Sequence, residues 1–298
     1  MQTLRRLFLL SPALRSLLPA AGGDFIDAHV HVWTPDTKSY PLATGFQREN
    51  MKPPSFTPDE LMRVMRPSGV ARVVLIQMSF YGYDNSYMLH TIAKHAKVFR
   101  GIAVIDHGAA NPRQEMDRLK QGGVRGFRLR GKTAAEWPEH PGMNAMWKHG
   151  AEAGLAMCPL IDPDALPVVD RMCRKFPQTT VVIDHMARVG TSGTIAESDL
   201  HALCDLAKHR NVYVKVSAFY AHGRKQPPYT DLLPAIRRLI DAYGARRLMW
   251  ASDSPFQVES PHTYEASVAL IRDHLTGISA EDRHWLLKKT AESVFFAK

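Results

Sequence analysis

Residues 25–32 read F-I-D-A-H-V-H-V. Successive side chains of a strand point to opposite faces, so Asp27, His29 and His31 are expected on one face and Ile26, Ala28, Val30 and Val32 on the other. The apolar set can pack under helices. An acid and two histidines on the remaining face are poor core material. In a barrel of parallel strands they are expected to look inward at the C-terminal rim, where such barrels build their sites.

Seven later runs are apolar stretches, all but 156–161 carrying polar residues at or near their ends, at 72–79, 99–106, 124–130, 156–161, 180–186, 212–218 and 247–253. Amphipathic stretches lie between them, near 58–66, 84–97, 112–121, 143–153, 164–176, 198–209, 230–243 and 263–274, with a last helix over about 279–296. The first of these opens on Thr57-Pro58-Asp59-Glu60, a capping threonine followed by proline at the first helical position. Regular strand and helix alternation predicts an α/β fold, specifically a (β/α)8 TIM barrel formed by 23–298 as a single domain. An open doubly wound sheet is the alternative. The first strand is not followed by a G-x-G-x-x-G turn, which disfavours the dinucleotide-binding version of that fold.

Composition narrows the function classes. The 298 residues are 45% hydrophobic and 22% charged, ordinary for a globular chain. Of the net charge of +9, Arg5, Arg6 and Arg15 supply three within an acid-free first 22 residues, leaving +6 on the rest. The remaining Lys and Arg are interleaved with acids rather than gathered into a basic groove, so no nucleic-acid partner is expected. A mildly basic surface, or a small anionic substrate as partner, accounts for the remaining charge. Residues 1–22 read as a targeting segment: Arg5-Arg6 before Leu7-Phe8-Leu9 looks like a twin-arginine export signal to the periplasm, with a mitochondrial transit peptide as the alternative. No later stretch is long and apolar enough for a membrane span. Cys158, Cys173 and Cys204 are too scattered for a disulfide framework or a cysteine zinc site and read as small hydrophobes.

Several strand ends offer polar groups that a barrel would bring to one rim. Strand six is expected to end in His185, on the face of Val181 and Ile183, and strand eight in Asp253, on the face of Met249 and Ala251. Strand four offers Arg128 and Arg130 on the face of Gly126, strand seven Lys215 and Ser217, and strand two Gln77 and Ser79. The loops 33–57 and 131–142 are long enough to cover a site. Aromatic loop residues, Trp33, Phe80, Tyr81, Tyr83, Trp137, Phe219 and Tyr220, either line a pocket for a flat ring or pack the loops.

Five motifs stand in order: D-A-H-V-H at 27–31, G-V-R-G-F-R at 123–128, V-V-I-D-H at 181–185, V-Y-V-K-V-S at 212–217 and M-W-A-S-D-S-P at 249–255. Through them residues 24–298 resemble the amidohydrolase-related family of the amidohydrolase superfamily, and within it the lactonases similar to 2-pyrone-4,6-dicarboxylate lactonase. The resemblance implies that His29 and His31 are metal ligands or oxyanion donors, that His185 polarises the substrate carbonyl, and that Asp253 activates water. It also implies that Arg128 and Arg130 grip a substrate carboxylate, with Ser79 and Tyr40 as further hydrogen-bonding groups. Two-metal members of the superfamily bridge their ions with a lysine after strand four, and single-metal decarboxylases often carry a histidine on strand five. Here strand four ends in arginine and strand five reads A-M-C-P-L-I at 156–161, so a binuclear centre is not expected. Either no metal, or a single zinc on His29, His31 and Asp253 with or without His185, is expected.

The function expected is hydrolysis of a carboxylated lactone by water activated at Asp253. A metal-dependent, non-oxidative decarboxylase is the alternative, and a non-catalytic carboxylate-binding protein a third. G-x-S-x-G is absent, so a serine nucleophile elbow has no support.

Overall fold

The computed structural model describes residues 23–297. Eight parallel strands neighbour one another in chain order. They are β1 Phe25–Val30, β2 Val70–Ile76, β3 Phe99–Ala103, β4 Val124–Arg130, β5 Ala156–Leu160, β6 Val181–Ile183, β7 Val212–Ser217 and β8 Leu248–Ala251. Helices α1 Pro58–Met65, α2 Ser86–Lys94, α3 Pro112–Gln121, α4 Pro141–Ala153, α5 Leu166–Lys175, α6 Glu197–Asp205, α7 Leu233–Tyr243 and α8 Tyr264–Ala269 follow their strands in turn. The ring closes where the His31 N–H donates to the Ser254 carbonyl and the Asp253 N–H to the His29 carbonyl, both at 2.9 Å. This is the (β/α)8 barrel that the sequence pattern predicts, with every strand inside its expected span except β2, which starts two residues before the expected 72–79. The targeting segment expected at 1–22 lies outside the described residues. No helix among the described residues is long and apolar enough to cross a membrane.

Two apolar clusters divide the core between them. Val73, Leu75, Phe99, Phe127, Val181, Ile183, Val214, Val216 and Trp250 pack outward against the helices. Ile26, Ala28, Val74, Ile76, Ile102, Ala156, Cys158, Val182, Met249 and Ala251 meet one another across the barrel axis. Phe295, on the helical stretch 280–296, joins the inner cluster, and its neighbour Phe296 lies under the guanidinium groups of Arg72 and Arg100 from the starts of β2 and β3. The C-terminal helix therefore closes the end of the barrel opposite the rim. Gly126 marks where the interior is tightest: a Cβ there would stand 2.5 Å from the Ala156 carbonyl oxygen.

The inner cluster corrects the expected faces of β1. Ile26 and Ala28 point inward, whereas Val30 points outward, and the register against β2 shifts between Asp27 and Val30. A β-bulge at this place turns His29 and His31 to the interior and leaves Asp27 outside it. Asp27, fully buried, accepts from the backbone N–H groups of His29 (3.0 Å) and Ser252 (2.9 Å) and from the hydroxyl of Tyr264 on α8 (2.7 Å). Its carboxylate thus takes the place of ladder bonds in the seam between β1 and β8. Asp27→Ala strands these donors without water and is expected to cost about 2 kcal/mol or more, read as a lowered urea midpoint. An unchanged midpoint would deny Asp27 this role.

Strand β6 needs a second correction. Val182 is the inward residue, so simple alternation puts Asp184 inward and His185 outward. The chain leaves the extended conformation instead: His185, Met186, Ala187 and Arg188 have φ of 51, 51, 52 and 59°. Left-handed backbone costs non-glycine residues about 1–2 kcal/mol each, which the surrounding core must offset. The gain is positional, since both Asp184 and His185 now face the interior.

Candidate active site

At the C-terminal rim the strand ends enclose a cavity of about 630 Å3. Asp253, one residue past Ser252 and itself left-handed (φ 65°), stands at its floor. Three imidazoles surround this carboxylate. Nε2 of His29 is 3.5 Å and Nε2 of His31 3.4 Å from Oδ1, and Nε2 of His185 is 3.7 Å from Oδ2. The Tyr220 hydroxyl donates to Oδ2 at 2.7 Å. All three histidines and Asp253 are buried. The four residues that the sequence singled out from three distant segments therefore meet in one place.

The far ring nitrogens fix what these imidazoles present. His31 Nδ1 is 3.0 Å from the Ile76 carbonyl, which can only accept, so Nδ1 carries the proton. His185 Nδ1 is 2.9 Å from Ser217 Oγ, whose hydroxyl donates to the Lys215 carbonyl at 3.4 Å, so Nδ1 is again the donor. In its neutral form each ring turns an Nε2 lone pair to the Asp253 side, where a cation would join ring and carboxylate. Burial lowers the pKa of His29 and of His185, favouring the neutral ring in each. For Asp253 burial opposes ionisation, but His185, His31 and His29 outweigh it and hold the carboxyl far below its usual range. His29 Nε2 and Asp253 Oδ1 are buried without any hydrogen-bond partner.

This donor set fits a divalent ion. His29, His31 and Asp253 offer two nitrogens and an oxygen close enough to bind one. Ligands about 2.0–2.1 Å from a tetrahedral centre lie about 3.3–3.4 Å apart. The observed separations of 3.4 and 3.5 Å match that spacing. The residues expected from sequence to be able to hold a zinc thus stand at separations that such an ion accepts.

Beyond this floor the walls are cationic. Arg128, Arg188 and Lys225 line the cavity with Ser79, Tyr220 and Phe256, and Asp253 is the sole acid among its lining residues. Arg128 Nε lies 3.3 Å from Asp184 Oδ2, so one side of its guanidinium is tied to the barrel and the rest faces the cavity. His222, buried at the end of the loop after β7, is 2.7 Å through Nδ1 from the Val189 carbonyl and leaves Nε2 unpartnered. Burial brings its pKa down to about 4, so the ring is neutral and Nε2 is an acceptor. A smaller adjoining lobe of about 310 Å3 is lined by Gln77, Arg130, Asp162, Ser79, Arg128 and Arg188.

Not every expected residue arrives here. Arg130, at the very end of β4, is exposed and borders the side lobe rather than the floor. Tyr40 is a correction: its ring packs on Tyr87 and His90 and lines a separate cleft at the start of α1, because the loop 33–57 folds back over α2. Trp33, Phe80, Tyr81 and Phe219 are buried in loop packing, and Tyr83 is exposed. Of the expected loop aromatics Tyr220 lines the cavity, joined by Phe256, which the sequence reading passed over. Asp184, Arg188, His222 and Lys225 were also passed over. Asp184 alone had a signal, the D-H pair inside V-V-I-D-H.

A family model described as "Amidohydrolase" matches residues 26–297. The chain belongs to the amidohydrolase family. Among curated relatives, this amidohydrolase is 28% identical to the L-fucono-1,5-lactonase of Burkholderia ambifaria over 241 residues, 77% of this chain and 80% of that one. It is 27% identical to the 2-pyrone-4,6-dicarboxylate hydrolase of Comamonas testosteroni over 248 residues, 80% and 78% of the two chains. Among solved structures, an amidohydrolase from Burkholderia multivorans with bound zinc superposes with a TM-score of 0.78 at 20% identity, covering 93% of this chain and all of that one. At that identity the likeness establishes the fold.

Proposed function

We propose that this amidohydrolase opens a small lactone bearing an acid group, with His29, His31 and Asp253 holding one divalent ion. What supports it is the combination, in one cavity, of a buried carboxylate ringed by imidazoles and a wall of Arg128, Arg188 and Lys225. The curated relatives named above act, by their names, on lactones, one a sugar lactone and one a dicarboxylate. The cationic wall here matches the acid-bearing kind. Decarboxylation has less support, because β5 turns Ala156 and Cys158 inward and brings no imidazole to the ring.

A divalent ion bound there supplies Lewis acidity toward a carbonyl oxygen and the attacking water. Arg128, with Arg188 and Lys225, holds the acid group and so fixes the lactone carbonyl over the floor. Asp253 takes a proton as the water oxygen bonds to that carbonyl carbon. His185, fixed through Nδ1 on Ser217, sets its Nε2 3.7 Å from Asp253 Oδ2 and so flanks the carboxylate that takes the proton. The ring C–O bond then breaks, and the proton held on Asp253 passes to the departing oxygen. Tyr220 keeps Asp253 in position throughout by its bond to Oδ2.

A lactone panel tests the proposal. For ring-size-matched lactones, kcat/KM is expected to be about 100-fold higher with a carboxylate than without, the worth of a strong charge-assisted contact. Stripping metal with a chelator is expected to abolish turnover, and zinc to restore it. Equal rates on neutral lactones would sink the substrate class, and full activity after complete metal removal would sink the ion.

A further inference from the structure

Two groups of donors among the described residues lie close enough to hold a metal: His29 with His31 and Asp253, and His29 with Asp184 and His185. The first is the centre proposed above. The second already has an occupant. Lys215, fully buried on the inner face of β7, puts Nζ 2.9 Å from Asp184 Oδ1 and 3.2 Å from His29 Nδ1. Those are two of the donors that a second ion would need. Beneath the ammonium the Phe295 ring lies 5.8 Å away, so the charge is sealed from the closed end of the barrel.

The reason for a lysine here follows from Asp184. Its carboxylate has no solvent exposure and must be compensated by charge or donors. Lys215 serves one oxygen, and Arg128 Nε, at 3.3 Å, the other. An ammonium is a compact point charge and sits between the Asp184 carboxylate and the His29 ring as a metal ion would. We infer that Lys215 is a resident cation that takes the place of a second metal and limits this amidohydrolase to one ion. A second divalent ion entering between His29, Asp184 and His185 meets a fixed positive charge beside the donors it needs, and the burial of Lys215 and Asp184 keeps the repulsion strong.

The inference rests on the single-ion reading only for the absolute count, and the test separates the two. The full chain, the Lys215→Gln variant and the Lys215→Arg variant are equilibrated with excess zinc chloride, freed of loose ion and counted by elemental analysis. Lys215→Gln is expected to retain one more zinc per chain than the parent, and Lys215→Arg the same number as the parent. Anomalous diffraction is expected to place the additional ion beside Asp184. Equal counts in the parent and a folded Lys215→Gln variant overturn the inference. So do two zinc ions in the parent, a result that needs no variant to fold. A parent without zinc removes the ion from the proposed function, while a gain of one ion by Lys215→Gln still supports the role given to Lys215.

Discussion

Asp253→Asn is expected to lower kcat about a thousand-fold or more while the barrel stays folded, a loss of roughly 4 kcal/mol in transition-state stabilisation. The substitution keeps the size and shape of the side chain. It also keeps Oδ1 as an acceptor, and the Tyr220 hydroxyl, now 2.7 Å from Oδ2, can turn to accept from the new amide. What disappears is the negative charge that His185, His31 and His29 hold in place against burial. With it go the proton acceptor and a charged ligand of the proposed ion. Both losses act on the chemical step, so KM is expected to move much less than kcat. Steady-state kinetics on the preferred lactone, beside a circular-dichroism melt, check this. A folded Asn variant within tenfold of the parent kcat would remove Asp253 from proton transfer.

The barrel was legible because period-2 apolar runs and amphipathic helices alternate without interruption, and each strand carries its own signal. Asp253 was legible for a related reason: Met249 and Ala251 share its inner face, so alternation carries straight to the rim. His29 and His31 were placed correctly, but by a faulty route. Alternation from Ile26 would turn them outward, and the bulge that reverses them has no mark in F-I-D-A-H-V-H-V. His185 arrives through left-handed backbone in residues without glycine, which local propensity argues against. The Asp184–Lys215 pair joins β6 to β7 at 2.9 Å, and such a contact depends on which strands are neighbours, a fact of the closed ring rather than of either strand. Tyr40 failed because loop length alone does not say where a loop travels. The lesson is that strand faces are readable up to the first irregularity, and that the irregularities here cluster at the site.

Arg128→Met is expected to raise KM for an acid-bearing lactone about 100-fold and to leave kcat within a few-fold. The guanidinium is half-buried with Nε 3.3 Å from Asp184, so its plane is fixed before substrate arrives, and little entropy is lost when it takes up a carboxylate. Methionine has similar length and no charge. Asp184 keeps its 2.9 Å contact with Lys215, so the variant retains a compensated core and is expected to fold. A charge-assisted bond is worth about 1.5–3 kcal/mol, which converts to roughly 10- to 150-fold in affinity. The neutral lactone is the internal control. If Arg128 holds the acid group, KM for a neutral ring of the same size should change less than about threefold, since that contact was never made. If KM rises equally for both, the substitution acts by disturbing Asp184 and His29, and the anion clamp belongs instead to Arg188 and Lys225.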